Sequence, residues 1–214
     1  MLLLYCVTEA AAGATPPPTG VNGASVDSLE HSGLRFFYSS LDKLHADPDT
    51  LKRDALDFHL VTRELFLQAA IIPFRFPTTL ASMAEGNAYL RDHAAQYYAA
   101  LQDFRHQVQM EIRVQLPPAP ATRDAATGTH YLQTRAQRAR QMEQAIQFCR
   151  AAIQPEVIDW RQHDSSRGVR CFVLIRREAV GRFQQQIKHA RLPESAMAAV
   201  SGPWPPTEFF PVFA

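Results

Sequence analysis

From Val108 to Leu116 apolar and polar side chains alternate at every position, with Val108, Met110, Ile112, Val114 and Leu116 set against Gln109, Glu111, Arg113 and Gln115. Successive strand residues point to opposite faces, so the pattern predicts a strand with one dry face and one wet face. The period then changes. Leu132, Ala136, Ala139, Met142, Ile146, Cys149 and Ile153 recur every three or four positions, the apolar stripe of an amphipathic helix that Pro155 ends. Glu156 to Gln162 reads as a short strand, Asp164 to Gly168 as a turn, and the apolar run Cys171 to Ile175 as another strand. Val180, Phe183 and Ile187 mark a second helix, and Ala196 to Ser201 supplies a last strand. Strand, helix, strand, strand, helix, strand is the split order of ferredoxin-like domains.

The first half is patterned differently. Strands are expected at Leu2 to Val7, Ser25 to Leu29 and Leu34 to Ser39. Asp47 followed by Pro48 is an acidic cap with proline at the first helical position, and Leu51, Ala55, Phe58, Val61 or Thr62, and Leu65 give the helix an apolar face. Ile71 to Pro77 reads as a proline-bounded strand. Ser82 and Glu85 have capping-box spacing, and the helix they open buries Leu90, Ala94, Tyr97, Leu101 and Phe104. The expected fold class is therefore α+β with two domains: residues 1–107 form a mixed α+β N-terminal domain, and residues 108–214 a ferredoxin-like C-terminal domain (βαββαβ) with a Pro/aromatic tail.

Two stretches rich in Pro, Ala and Gly interrupt the pattern. Ala10 to Gly23, with Pro16, Pro17 and Pro18, is a surface loop in the first domain, and Pro117 to Thr129 a loop inside the second. The chain closes on the stretch Val200 to Ala214, which contains Gly202, Pro203, Trp204, Pro205, Pro206, Thr207, Glu208, Phe209, Phe210, Pro211, Val212 and Phe213. Its prolines remove donors and fix φ, so neither a helix nor a central strand can run through it, and an extended course is expected. Such an apolar segment either packs on its own domain or meets another protein. Trp204, Pro205, Pro206, Phe209 and Phe210 are the candidate partner-binding residues.

Charge and chemistry narrow the classes. The chain has 214 residues and a formal net charge of +1, so no basic footprint points to nucleic acid or an anionic membrane. Cys171 to Ile175 carries one aromatic and no Gly-aromatic-Gly context, unlike an RNA-stacking sheet. Met1 to Val7 is too short to span a bilayer and lacks the basic start and cleavage site of a secretory signal. Cys6, Cys149 and Cys171 are widely spaced in apolar runs and read as buried reduced thiols in a cytoplasmic protein. The eight histidines form no short-spaced metal motif, and hydrolase elbows, phosphate loops and dinucleotide fingerprints are missing, so no catalytic, metal or cofactor site is expected and the chain is read as no enzyme. His59, on the first helix, is expected to be structural. Arg75, between Phe74 and Phe76 on a presumed strand, should point away from both rings and hold the domain together through a bidentate carboxylate pair.

These residues carry a resemblance. Ser201-Gly202-Pro203-Trp204-Pro205-Pro206 resembles the closing Gly-Pro-Trp-Pro-Pro block of the GvpF/GvpL family of gas vesicle proteins. Three further pieces agree in order and rough spacing: Leu4-Tyr5-Cys6-Val7, Pro73-Phe74-Arg75-Phe76-Pro77-Thr78, and Thr129-His130-Tyr131-Leu132-Gln133-Thr134-Arg135, in which Tyr131 is a candidate structural residue. His59 sits where the family often carries a histidine. Pro77, Thr207 and Glu208 stand where the family pattern has Gly, Tyr and Ser. The resemblance implies an α+β N-terminal domain and a modified ferredoxin-like C-terminal domain. It also implies an accessory or minor structural protein of gas vesicle assembly, located at the gas vesicle or in the cytoplasm. Such a protein would bind the hydrophobic shell-forming protein, limit its aggregation during nucleation, and contact other accessory proteins. A divergent intracellular scaffold or protein-interaction module of the same fold is the alternative.

Overall fold

The computed structural model describes residues 1–44, 47–117, 128–165, 168–193 and 196–211, with the side chains of 128–131 outside the description. Among these residues the chain is mixed α+β, with two antiparallel sheets and four α-helices. It divides into two compact units, Met1–Arg105 with Phe209–Ala214, and His106–Glu208. The division falls at Arg105/His106 rather than after residue 107. The last residues go with the first unit, because Phe210 packs on that unit's apolar cluster and meets Phe104 edge-on at 5.2 Å.

In the first unit the elements are β1 (Leu2–Glu9), β2 (Asp27–His31), β3 (Leu34–Ser40), α1 (Pro48–Gln68), β4 (Ile72–Pro73), β5 (Thr79–Leu80) and α2 (Met83–Phe104). The sheet order is β2-β3-β1-β4, and β5 also pairs with β1. Every residue from Leu2 to Thr8 is buried, as an unbroken apolar run requires. Leu2, Leu4, Val7 and Phe36 pack with Leu90, Tyr97, Ala100 and Leu101 of α2, while Tyr5 packs on Phe58 of α1 with ring centroids 5.2 Å apart. Both helices start on the caps the sequence announces. Asp47 accepts the Thr50 N–H at 2.9 Å, and Ser82 accepts the Glu85 N–H at 3.2 Å.

Two expectations fail in this unit. Leu51 is exposed, while α1 buries the expected Phe58, Val61, Thr62 and Leu65 together with Asp54 and Phe66. The strand expected over Ile71 to Pro77 shrinks to Ile72–Pro73. Beyond it Phe74 packs against Tyr89 and Tyr97 of α2, whereas Phe76 packs against Phe58 of α1. A chain that sends its rings to different helices over so short a span cannot keep strand pairing.

Beneath α1 the Tyr5 hydroxyl is within 2.9 Å of Ser39 Oγ and accepts the Val21 N–H at 3.0 Å, tying the proline-rich loop to the sheet. Gly20 leaves room for this. A Cβ there would lie 2.3 Å from the Tyr5 hydroxyl oxygen and 2.9 Å from Ser39 Oγ.

The second unit contains β6 (Gln107–Gln115), α3 (Gly128–Ile153), β7 (Asp159–Ser165), β8 (Gly168–Arg176), α4 (Val180–Lys188) and β9 (Met197–Trp204). The sheet order is β7-β8-β6-β9, every neighbouring pair being antiparallel. Val108, Met110, Ile112 and Val114 of β6 and Cys171, Val173 and Ile175 of β8 are buried on the side that also takes Ala145, Ile146, Cys149 and Ile153 of α3 and Phe183 and Ile187 of α4. Only the second half of the α3 stripe is core; Leu132, Ala136 and Ala139 are exposed. A short 3-10 turn, Gln154–Glu156, displaces the next strand to begin at Asp159 rather than Glu156. The Pro117 to Thr129 loop lies largely outside the described residues, as do 166–167 of the expected turn.

The face of β6 predicted to be wet is solvated only in part, with Arg113 exposed and Gln107 and Gln115 half-buried. Gln109 and Glu111 are buried along with their apolar neighbours.

Gly20→Ala should lower the stability of the first unit by about 1–3 kcal/mol, since the added methyl must displace a buried hydroxyl pair. Urea unfolding of the full chain, followed by near-ultraviolet signals of Tyr5 and its neighbours, measures it.

Candidate functional site

The side of the second sheet away from its helices is built from the polar row of β6. Glu111 accepts two hydrogen bonds from Arg170, Nε at 2.8 Å to Oε1 and Nη2 at 3.1 Å to Oε2, and a third from Arg113 at 3.1 Å. The hydrogen-bonded Arg170 guanidinium, with Arg113 beside it, holds the Glu111 carboxyl below its ordinary range, against a smaller opposing effect of burial. Arg170 also lies over the Phe172 ring, 4.8 Å from its centroid, and His163 meets the same ring edge-on at 5.3 Å.

The closing segment completes this face. Strand β9 continues through Gly202 and Pro203 to Trp204, three residues past the expected end, with a register shift between Gln109 and Glu111 on the partner strand. Gly202 sits at φ +115°, and a Cβ there would lie 3.0 Å from the Gln109 carbonyl oxygen and 3.1 Å from Met110 Sδ, so the glycine is required. The expectation of a wholly extended tail then gives way to a turn, closed by Thr207 N–H to the Pro205 carbonyl at 2.8 Å. Glu208 N–H donates to Gln109 Oε1 at 3.0 Å, Arg161 donates to the Glu208 carbonyl, and the Glu208 carboxylate lies 3.8 Å from His163 Nδ1.

The structure thus gives the five tail candidates different roles. Pro206 and Phe209 are buried, Phe210 is half-buried on the cluster of the first unit, and Trp204 and Pro205 are half-buried, with Trp204 Nε1 donating to Ser201 Oγ at 3.3 Å. Residues 212–214 lie outside the described part. Arg75 does not clamp its domain: its side chain is exposed, and among the described residues it forms no ion pair. Once the segment leaves strand geometry, the alternation that aimed Arg75 at a carboxylate no longer applies. His59 is on the exposed side of α1, and Tyr131 falls in the first turn of α3 with its side chain outside the described residues.

Sequence reading missed Gln109, Glu111 and Arg170 as organising residues. The signal was present as polar residues on a central strand, but only the fold shows that this strand is covered at Gln109 and Glu111 on its polar side.

The three cysteines are free and buried. Burial pushes the thiols of Cys149 and Cys171 up to about 11 and about 12, and that of Cys6 further, which leaves them unreactive at neutral pH. Among the described residues no group of three His, Cys, Asp or Glu side chains could hold a metal ion, and no helix is long and apolar enough to cross a membrane.

These features describe a two-unit α+β protein whose ordered polar groups serve packing. A family model for the gas vesicle synthesis protein GvpL/GvpF matches residues 1–211, and the chain belongs to that family. Its fold is that of two solved gas vesicle proteins. GvpF from Anabaena sp. superposes with a TM-score of 0.81 at 16% identity, over 99% of this chain and 96% of that one. GvpF from Microcystis aeruginosa gives 0.78 at 16% identity, over 99% of each. No curated protein sequence matches.

Glu111→Gln should destabilise the second unit by about 1–3 kcal/mol at neutral pH, by weakening the charge-assisted bonds from Arg170. The folded carboxyl titrates below its unfolded value. Its contribution is therefore complete above the ordinary carboxylate range and disappears as pH falls through the lowered folded value, where wild type and variant should converge. Urea unfolding of both proteins along a descending pH series tests this.

Proposed function

We propose that this chain is an accessory or minor structural protein of gas vesicle assembly, which binds the hydrophobic shell-forming protein and limits its aggregation during nucleation. The family match across residues 1–211 carries the reading. Other gas vesicle accessory proteins would be further partners, and the site of action would be the gas vesicle within the cytoplasm. We read the second unit as a modified ferredoxin-like domain, a reading supported by the sheet order β7-β8-β6-β9 with α3 and α4 on one side.

Holding an apolar partner requires apolar surface that the fold has not used. Leu56, Leu60 and Leu67 form a second stripe on α1, opposite its core face, and are 64%, 57% and 67% exposed. Leu60 and Leu67 line an open groove of about 720 Å³ together with Pro17 and Pro18 of the proline-rich loop and the charged Asp57, Arg63 and Glu64. A groove of this shape suits an amphipathic segment. Trp204 and Pro205, which keep part of their surface exposed, are the tail residues proposed for contact.

Co-expression with the shell-forming protein followed by pull-down should recover a complex. Replacing Leu56, Leu60 and Leu67 together by Ser should weaken recovery about tenfold or more without lowering thermal stability, since none of the three is core. Failure of the wild-type chain to associate contradicts the function, whereas equal recovery of the variant contradicts only the surface.

A further inference from the structure

The sheet edges of this protein are protected unequally. In the first sheet one edge is β2, which carries Asp27, Glu30 and His31, and the other is made of β4 and β5, two residues each. In the second sheet β7 carries Asp159, Arg161, His163 and Asp164. Charge and shortness are the usual means by which an edge is kept from pairing with another chain. The remaining edge has neither. Strand β9 is eight residues long, and no charged residue occurs anywhere from Ala196 to Thr207. It pairs on one side with β6, and among the described residues Met197 to Ser201 make no other main-chain hydrogen bond. Met197 is 61% exposed, and Ala199 and Ser201 are exposed as well.

We propose that the β9 edge pairs with the β9 edge of a second copy of this chain, antiparallel about a two-fold axis near Ala199. The charge pattern favours this occupant. With Ala199 on the axis, Met197 lies opposite the partner's Ser201 and Ala198 opposite the partner's Val200, so no opposed pair brings like charges together. A β7 edge paired in the same way about Gln162 would crowd Asp159, Arg161, His163 and Asp164 of both copies into the seam. A two-fold axis normal to the sheet also keeps each face continuous, so α4 of both copies lies on the same side. Pro203 has no N–H to offer and stops the pairing from extending, which leaves Met197 to Ser201, symmetric about Ala199, as the paired stretch.

Sedimentation equilibrium of the full chain over a wide concentration range should give a mass of two chains, falling to one on dilution. A mass of one chain throughout overturns the proposal. Ala199→Glu places a carboxylate opposite Arg113 within its own sheet, where it is tolerated, but beside its copy across the axis. The variant dimer should be about tenfold weaker, with a melting temperature unchanged at dilutions where both proteins are monomeric; an equally tight dimer overturns the proposal. Ala199→Cys gives an independent reading. The native thiols are buried, so under mild oxidant the new cysteine should cross-link to its own copy, since directly opposed residues of paired antiparallel strands lie within disulfide reach. A dimer that forms but does not cross-link at this position places the interface elsewhere and contradicts the register.

Discussion

Strand β6 is buried on one side and, at Gln109 and Glu111, on the other as well, and the architecture of the second unit follows from that. One side carries aliphatic residues against the helices and needs nothing further. The other carries Gln109 and Glu111, and a buried amide or carboxylate without partners costs several kcal/mol. Glu111 is therefore met by Arg170 and Arg113, and Gln109 by the main chain at Glu208. The closing Gly-Pro-Trp-Pro-Pro block is the device that brings Glu208 into place: Gly202 lets the backbone pass close to Gln109, and the turn at Pro205 to Thr207 folds the chain back over the sheet. The first unit has the same organisation with apolar means. Its central strand β1 is apolar on both faces, with a helix against each, so it needs only a hydroxyl pair at Tyr5 and Ser39 and the bond from Thr8 Oγ1 to the Ala70 carbonyl.

Much of this was legible in the sequence because it rests on local signals. The caps at Asp47 and Ser82 and the alternation of β6 reflect short-range physics and appear where expected. What was not legible depended on contacts remote in sequence. The polar row of β6 reads as solvent-facing until Glu208, 99 positions away from Gln109, is seen to reach it. The Phe74 to Pro77 segment reads as a strand until its rings are claimed by two different helices, and with the strand goes the role expected of Arg75. Of the tail residues, aromatic character alone could not separate Phe209, which is core, from Trp204, which keeps exposed surface.

The same distinction bears on function. Membership of the GvpL/GvpF family ties the chain to gas vesicle synthesis, and the segment that best marks the family is built into the fold. Exposed large apolar side chains outside that segment include Leu56, Leu60 and Leu67 of α1 and Met197 at the start of β9.

The central claim is that the closing segment as far as Glu208 is an internal part of the second unit, held by the Gln109 side chain. Amide hydrogen exchange at Glu208 in the full-length protein tests it most directly. The account predicts slow exchange at Glu208, accelerated selectively in a Gln109→Ala variant while β8 stays protected. Exchange of the wild-type Glu208 amide at the rate of an unstructured chain would contradict it.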